Sequence, residues 1–142
     1  MPEPVFEFRS EVFFDELDAL WVLHHSRYLM HLERAQQALF QQLLGVSNFD
    51  AKRDEDIYVV VRNLTVDYRV PIRNPGPVLI RYFPERVRAA GLTLGFELCS
   101  GDGSVLHSSG SRTVCKLSGK THQPTEWTPV FREALENWCR GV

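Results

Sequence analysis

A chain of 142 residues is of single-domain size and long enough to bury a substantial core. Its 44% hydrophobic and 24% charged residues are ordinary for a water-soluble protein, and a formal charge of −2 offers no basic field for a polyphosphate backbone, which argues against a nucleic-acid partner. The three cysteines are odd in number with no CxxC pair, and no apolar run approaches the ~20 residues that span a bilayer, which argues against a disulfide framework and against membrane insertion.

The amino terminus, Met1-Pro2-Glu3-Pro4, lacks the basic start and apolar stretch of a signal peptide. Reduced thiols and a cytoplasmic location are therefore expected. Residues 5–14 alternate with period two, Phe6, Phe8, Val12 and Phe14 against Glu7, Arg9 and Glu11, which predicts a half-buried strand. A charged loop, Asp15-Glu16-Leu17-Asp18, follows. From about His25 to Leu44 the period becomes helical, with Tyr28, Leu32, Ala35, Leu39 and Leu43 on one stripe. Ser26 is the expected N-cap and Gly45 the expected stop.

After a polar loop, Asn48 to Asp56, the pattern is largely strand. Ile57 to Val70 ends at Pro71 and the Asn74-Pro75-Gly76-Pro77 cluster. Val78 to Ala90 is interrupted by Pro84, which predicts an edge position or a bulge. Leu92, Leu94, Phe96 and Leu98 alternate cleanly, and Ser100-Gly101-Asp102-Gly103 predicts a hairpin into a strand over Val105–Leu117. Thr128-Pro129 opens a short helix near 129–140, with Val130, Phe131, Ala134, Leu135 and Trp138 as its stripe. One long helix against a mostly antiparallel sheet is an α+β arrangement over 1–142. A small sheet leaves open edges, and pairing them across a two-fold axis predicts at least a dimer.

The chemistry concentrates in Asp15–Ala35, DELDALWVLHHSRYLMHLERA. This segment resembles the 4-hydroxybenzoyl-CoA thioesterase family, including the acyl-CoA thioesterases associated with the Tol-Pal cluster, whose signature is similar to DxDxxGxVxHxxYxxxxERAR. Glu16 stands at the first acidic position and Asp18 at the second. His25, Tyr28 and Glu33-Arg34-Ala35 match the histidine, tyrosine and ERA at the same spacings. A second stretch, Val61 to Pro71, is similar to the strand that follows the helix in that family. The resemblance implies a hot-dog fold: a curved sheet of about five strands wrapped around one long helix, in a homodimer or homotetramer with active sites between protomers. It implies an acyl-CoA substrate and no metal or redox cofactor, CoA entering only as part of the substrate.

In that reading Asp18 is nucleophile or general base, and the helix N-terminus at His25 supplies a backbone N–H to the oxyanion. The His25 side chain remains open as an acid/base or a substrate contact. Glu33 is either a solvated helix carboxylate or a carboxylate supporting the site. Leu20 and Trp21 stand where the family commonly carries glycine, so they would reshape the acyl pocket. Tyr28 belongs to the core with its hydroxyl seeking a polar partner. Arg62 lies on an apolar face: it pairs with a site carboxylate, meets CoA, or is turned outward by a strand irregularity. The CoA phosphates are to be found by some of Arg69, Arg73, Arg86, Arg88, Arg112 and Lys116. His24 and His31 are expected at the surface or an interface. With Asp18 and Glu33 they could imitate a metal site, although no HExxH spacing supports one. Two other functions are compatible with the residues: an enoyl-thioester hydratase or dehydratase, and a catalytically weak acyl-CoA-binding protein.

Overall fold

A computed structural model of the chain describes residues 4–141; the first three residues of the amino-terminal stretch lie outside them. Seven regular elements follow one another as β1 (Phe6–Val12), α1 (Arg27–Leu44), β2 (Val59–Tyr68), β3 (Gly76–Val87), β4 (Gly91–Ser100), β5 (Leu106–Lys116) and α2 (Pro129–Cys139). The strands form one sheet in the order β1-β3-β4-β5-β2, and every pairing is antiparallel. The sheet curves around α1, which is the hot-dog architecture that the family resemblance implies.

The burial pattern explains why. Leu92, Leu94, Phe96 and Leu98 of β4 are almost fully buried, as are Ile80 and Tyr82 of β3 and Val114 of β5. They meet the stripe Tyr28, Leu32, Ala35, Leu39 and Phe40 of α1 in one core. Each large side chain so buried contributes about 1.5–3 kcal/mol relative to exposure. The Tyr82 hydroxyl donates to the Leu32 carbonyl at 2.8 Å, so its polar end is satisfied inside that core.

α1 ends where expected: Gly45 is left-handed at φ 68, and the Gly45 and Val46 amides donate back to the Gln42 and Gln41 carbonyls. Its start differs. Ser26 has helical backbone and no side-chain cap; its hydroxyl lies 2.8 Å from His24 Nδ1, and its amide donates to that same nitrogen at 3.2 Å. The N-cap residue is Ser26 as expected, but its hydroxyl is turned to His24 and caps no amide of the first turn.

Four other expectations are corrected by burial. Phe14 lies past the end of β1, in a 3-10 turn over Phe14–Glu16, and is exposed. Val130 faces solvent in the first turn of α2, while Phe131, Leu135 and Trp138 carry that helix. His31 is fully buried, because a helical residue three positions after Tyr28 falls on the same inward stripe. Arg112 and Lys116 are removed from the CoA-phosphate candidates: both are at most 2% exposed and already paired.

Lys116 anchors α2. Its Nζ lies 3.1 Å from Asp56 Oδ1 and donates to the Glu126 carbonyl at 2.9 Å. Asp56 accepts the Thr128 amide and hydroxyl at 2.9 and 2.6 Å, and Thr128 caps the Phe131 amide at 3.3 Å. The N-cap read from the sequence is present, with a buried ion pair behind it. Pro84 sits beside a register shift in the β3–β4 ladder and past the last β1 partner of β3 at Tyr82, so it interrupts no ladder bond to β1.

At the far edge, β2 has one neighbour, and Val60, Val61 and Tyr68 are exposed along it. No helix among the described residues is long and apolar enough to cross a membrane.

Candidate active site

Between β1 and α1 the chain makes a tight excursion closed by an isolated bridge between Leu17 and Leu23. Asp18 organises it. Its amide donates to the Val22 carbonyl at 2.8 Å, and its carbonyl accepts the Trp21 amide at 3.0 Å. Its carboxylate Oδ1 accepts the Leu20 amide at 2.8 Å and, more weakly, the Val22 amide at 3.4 Å. An aspartate that satisfies nearby amides with its own side chain is a common turn device. Oδ2 accepts nothing among the described residues, so one oxygen is held and the other is not.

The turn requires a left-handed residue, and Trp21 supplies it at φ 61. Leu20 and Trp21 are the two positions at which the resembling family's loop commonly carries a glycine. A side chain at the left-handed position costs about 1–2 kcal/mol, offset in part by the edge-on contact of Trp21 with Phe14 at 5.3 Å. Leu20 and Trp21 are 78% and 62% exposed and project away from the loop.

The loop is then tied down. The Leu23 amide donates to the Ile72 carbonyl at 2.7 Å, and the His24 amide to the Glu16 carbonyl at 3.2 Å. The His25 carbonyl accepts the Tyr68 hydroxyl at 3.1 Å. The His25 amide donates to nothing among the described residues. It lies two residues before the first residue of α1, one position ahead of the N-cap Ser26, beside the helix end whose dipole favours negative charge. The imidazoles of His24 and His25 stack at 4.3 Å.

Asp18 and His25 line one cavity of about 240 Å³ with Tyr28, Tyr68, Arg69 and Val70. Tyr28 and Tyr68 meet edge-on at 5.0 Å and form an aromatic wall. Burial pushes the Tyr28 hydroxyl above its ordinary pKa, a backbone hydrogen bond at Ile72 opposes this, and Tyr68 adds to the rise. Of the residues predicted from sequence, the structure brings Asp18, His25 and Tyr28 together. Arg69, a CoA-phosphate candidate from the sequence, lines the cavity, whereas Tyr68 and Val70 carry no such expectation. Their signal is the end of the second resembling stretch, which folds back beside the loop.

Four predicted site residues lie elsewhere. Leu20 and Trp21 do not line this cavity in the protomer. Glu33, exposed on α1, pairs with the buried Arg112 guanidinium, whose Nε donates to Gln36 Oε1 at 2.7 Å. It lines a second cavity of about 360 Å³ with Gln36, Phe40 and Val59. Arg62 falls within a register shift between Val61 and Asn63, and is exposed. The bulge turns it out of the apolar face. There it lines a third cavity, about 230 Å³, with Arg88, Thr113 and Cys115. No group of three or more His, Cys, Asp or Glu side chains able to hold a metal occurs among the described residues.

Among solved structures, the PA2801 protein of Pseudomonas aeruginosa is 19% identical, with 91% of this chain and 96% of that one covered at a TM-score of 0.79. The DHNA-CoA thioesterase of Staphylococcus aureus is 21% identical, with 94% and 89% covered at 0.79. The SAV2348 protein of S. aureus, solved in complex with CoA, is 14% identical, with 99% and 87% covered at 0.83. At these identities the likeness establishes a common fold. No protein of curated function matches the chain by sequence. The family model for the thioesterase-like superfamily matches residues 12–135, and the chain belongs to that superfamily.

Proposed function

We propose that the protein hydrolyses an acyl-CoA thioester to a carboxylate and free CoA, with Asp18 as nucleophile or general base and the His25 amide as oxyanion donor. The observation that carries this reading is one cavity lined by both Asp18, whose Oδ2 has no partner among the described residues, and His25, whose amide has none either and lies just ahead of α1. As general base, Asp18 takes a proton from water while the water oxygen bonds to the thioester carbon. The carbonyl oxygen gains the negative charge and is met by the His25 N–H. Collapse breaks the C–S bond, and the proton passes from Asp18 to the leaving sulfur. As nucleophile, Asp18 Oδ2 bonds to that carbon, CoA leaves as thiolate, and water cleaves the resulting anhydride.

The superfamily fold supports a CoA-thioester substrate. Arg62 and Arg88 are proposed to hold CoA phosphates, and Arg69 stands at the cavity rim. Leu20 and Trp21, projecting from the Asp18 loop, are proposed to meet the acyl group where two protomers join. Glu33 is proposed as a supporting carboxylate held by Arg112.

The test is thiol release from acetyl-, hexanoyl-, palmitoyl- and benzoyl-CoA by the purified protein. Asp18→Asn should lower the best of these rates by about 10²–10⁴-fold. Undiminished turnover in that variant would remove Asp18 from the chemistry, and binding of all four thioesters without turnover would favour an acyl-CoA-binding protein.

A further inference from the structure

Asp18 and His25 sit on an irregular loop, yet catalytic groups need to be held within about 0.5 Å of their working positions. A chain of three buried polar side chains lies directly behind that loop. Ser10 of β1, Glu16 at the end of the 3-10 turn and His31 of α1 are 8%, 4% and 0% exposed. Ser10 Oγ lies 2.5 Å from His31 Nδ1, and His31 Nε2 lies 2.7 Å from Glu16 Oε1. The other carboxylate oxygen of Glu16 accepts the Phe13 amide at 2.7 Å.

The carboxylate sets the direction of the bond to Glu16, and the charge of the ring that of the bond to Ser10. An ionised carboxylate only accepts, so His31 carries a proton on Nε2 and donates it to Glu16. In the neutral ring Nδ1 is then an acceptor, and Ser10 donates its hydroxyl hydrogen to it. This is the hydroxyl–imidazole–carboxylate order of a nucleophilic triad. Ser10, however, lines none of the three cavities and is too buried for an acyl group to reach.

What the chain touches indicates its role. Glu16 is two residues from Asp18, and its carbonyl accepts the amide of His24, the residue before His25. Leu17, between Glu16 and Asp18, forms the bridge that closes the loop. The strand, the turn and the helix thus meet at one imidazole. Burying three polar groups costs desolvation that apolar packing would avoid. A fully satisfied network in return admits one arrangement of its members.

We propose that Ser10, His31 and Glu16 act as positioning residues, a latch that holds the Asp18 carboxylate and the His25 amide in register for the thioester chemistry. The proposal rests on that functional reading, and the experiment separates the two. His31→Leu removes both bonds of the imidazole, whereas His31→Gln keeps an amide N–H able to reach Glu16. With the best acyl-CoA of the panel, His31→Leu should lower kcat about tenfold to a hundredfold with KM within about twofold. His31→Gln should recover kcat to within about threefold of the unaltered protein. The His25 amide resonance in the ¹⁵N–¹H spectrum should move in His31→Leu and return toward its original position in His31→Gln. A folded His31→Leu with unaltered kcat and an unmoved His25 resonance would overturn the latch.

If His31→Leu does not fold, Ser10→Ala replaces it. It removes the hydroxyl beside His31 Nδ1 and leaves the imidazole–Glu16 bond, so one bond is lost and the same readouts decide. If the unaltered protein turns over none of the thioesters, the thioesterase reading fails. Amide hydrogen exchange across Leu17–Leu23 still decides the latch: faster exchange in the variant supports it, and unchanged exchange overturns it.

Discussion

At the scale of the residue, His25 separates a side chain from a backbone. Its imidazole is stacked on His24 and exposed, while its amide is the group left without an acceptor among the described residues. If the amide is the oxyanion donor, His25→Ala retains it and should keep kcat within about tenfold. His25→Pro deletes the N–H and should lose about 3 kcal/mol of transition-state stabilisation, or 10²–10³-fold in kcat. Steady-state kinetics on both variants, with circular dichroism as the fold check, decides this. Equal losses in the two would move the role to the imidazole. Trp21 belongs to the same scale: it accepts a left-handed backbone that glycine takes without strain, and it keeps a large side chain on the loop that holds Asp18.

At the scale of the element, the contact between β2 and β5 depends on one missing side chain. A Cβ on Gly110 would lie 1.9 Å from the Thr65 carbonyl oxygen of β2 and 2.9 Å from Phe96. The first is backbone, so a rotamer change cannot relieve it, and β2 would have to leave its register on β5. Gly110→Ala should therefore destabilise the protein by about 2–3 kcal/mol in urea unfolding. Gly119→Ala, with nothing within 4 Å of the new Cβ, should change stability by no more than about 0.5 kcal/mol. Equal midpoints for the two would show that β2 is not held as closely as its geometry indicates. The β2 strand also carries Tyr68 to the candidate cavity, so a displaced β2 should impair turnover as well.

At the scale of the whole molecule, β2 is an edge strand with Val60, Val61 and Tyr68 exposed and backbone groups free for pairing. An uncovered apolar edge favours pairing with a second copy across a two-fold axis, and we propose that arrangement for this protein. Light scattering on the eluting protein should give at least twice the 16.4 kDa chain mass. Val61→Asp, which places a charge on that edge, should yield the single-chain mass and lose turnover. A monomeric unaltered protein with full activity would discard the shared site.

The sequence by itself determined the layout: helix and strand periods, the Gly45 stop, the Thr128 cap and the Ser100–Gly103 hairpin are local signals, and each is present. The spacing of Asp18, His25 and Tyr28 was equally legible, because the stretch that holds them is contiguous. Tertiary structure alone decided the rest. Whether Arg62 points in or out depends on a bulge between two strands distant in sequence, which leaves no local trace. That Arg112 and Lys116 are buried partners of Glu33 and Asp56 follows from contacts across β5. His31 is the sharpest instance. A histidine on a helix reads as polar and outward until Ser10 and Glu16 arrive from β1 and the turn, and only their convergence makes its burial affordable in free energy.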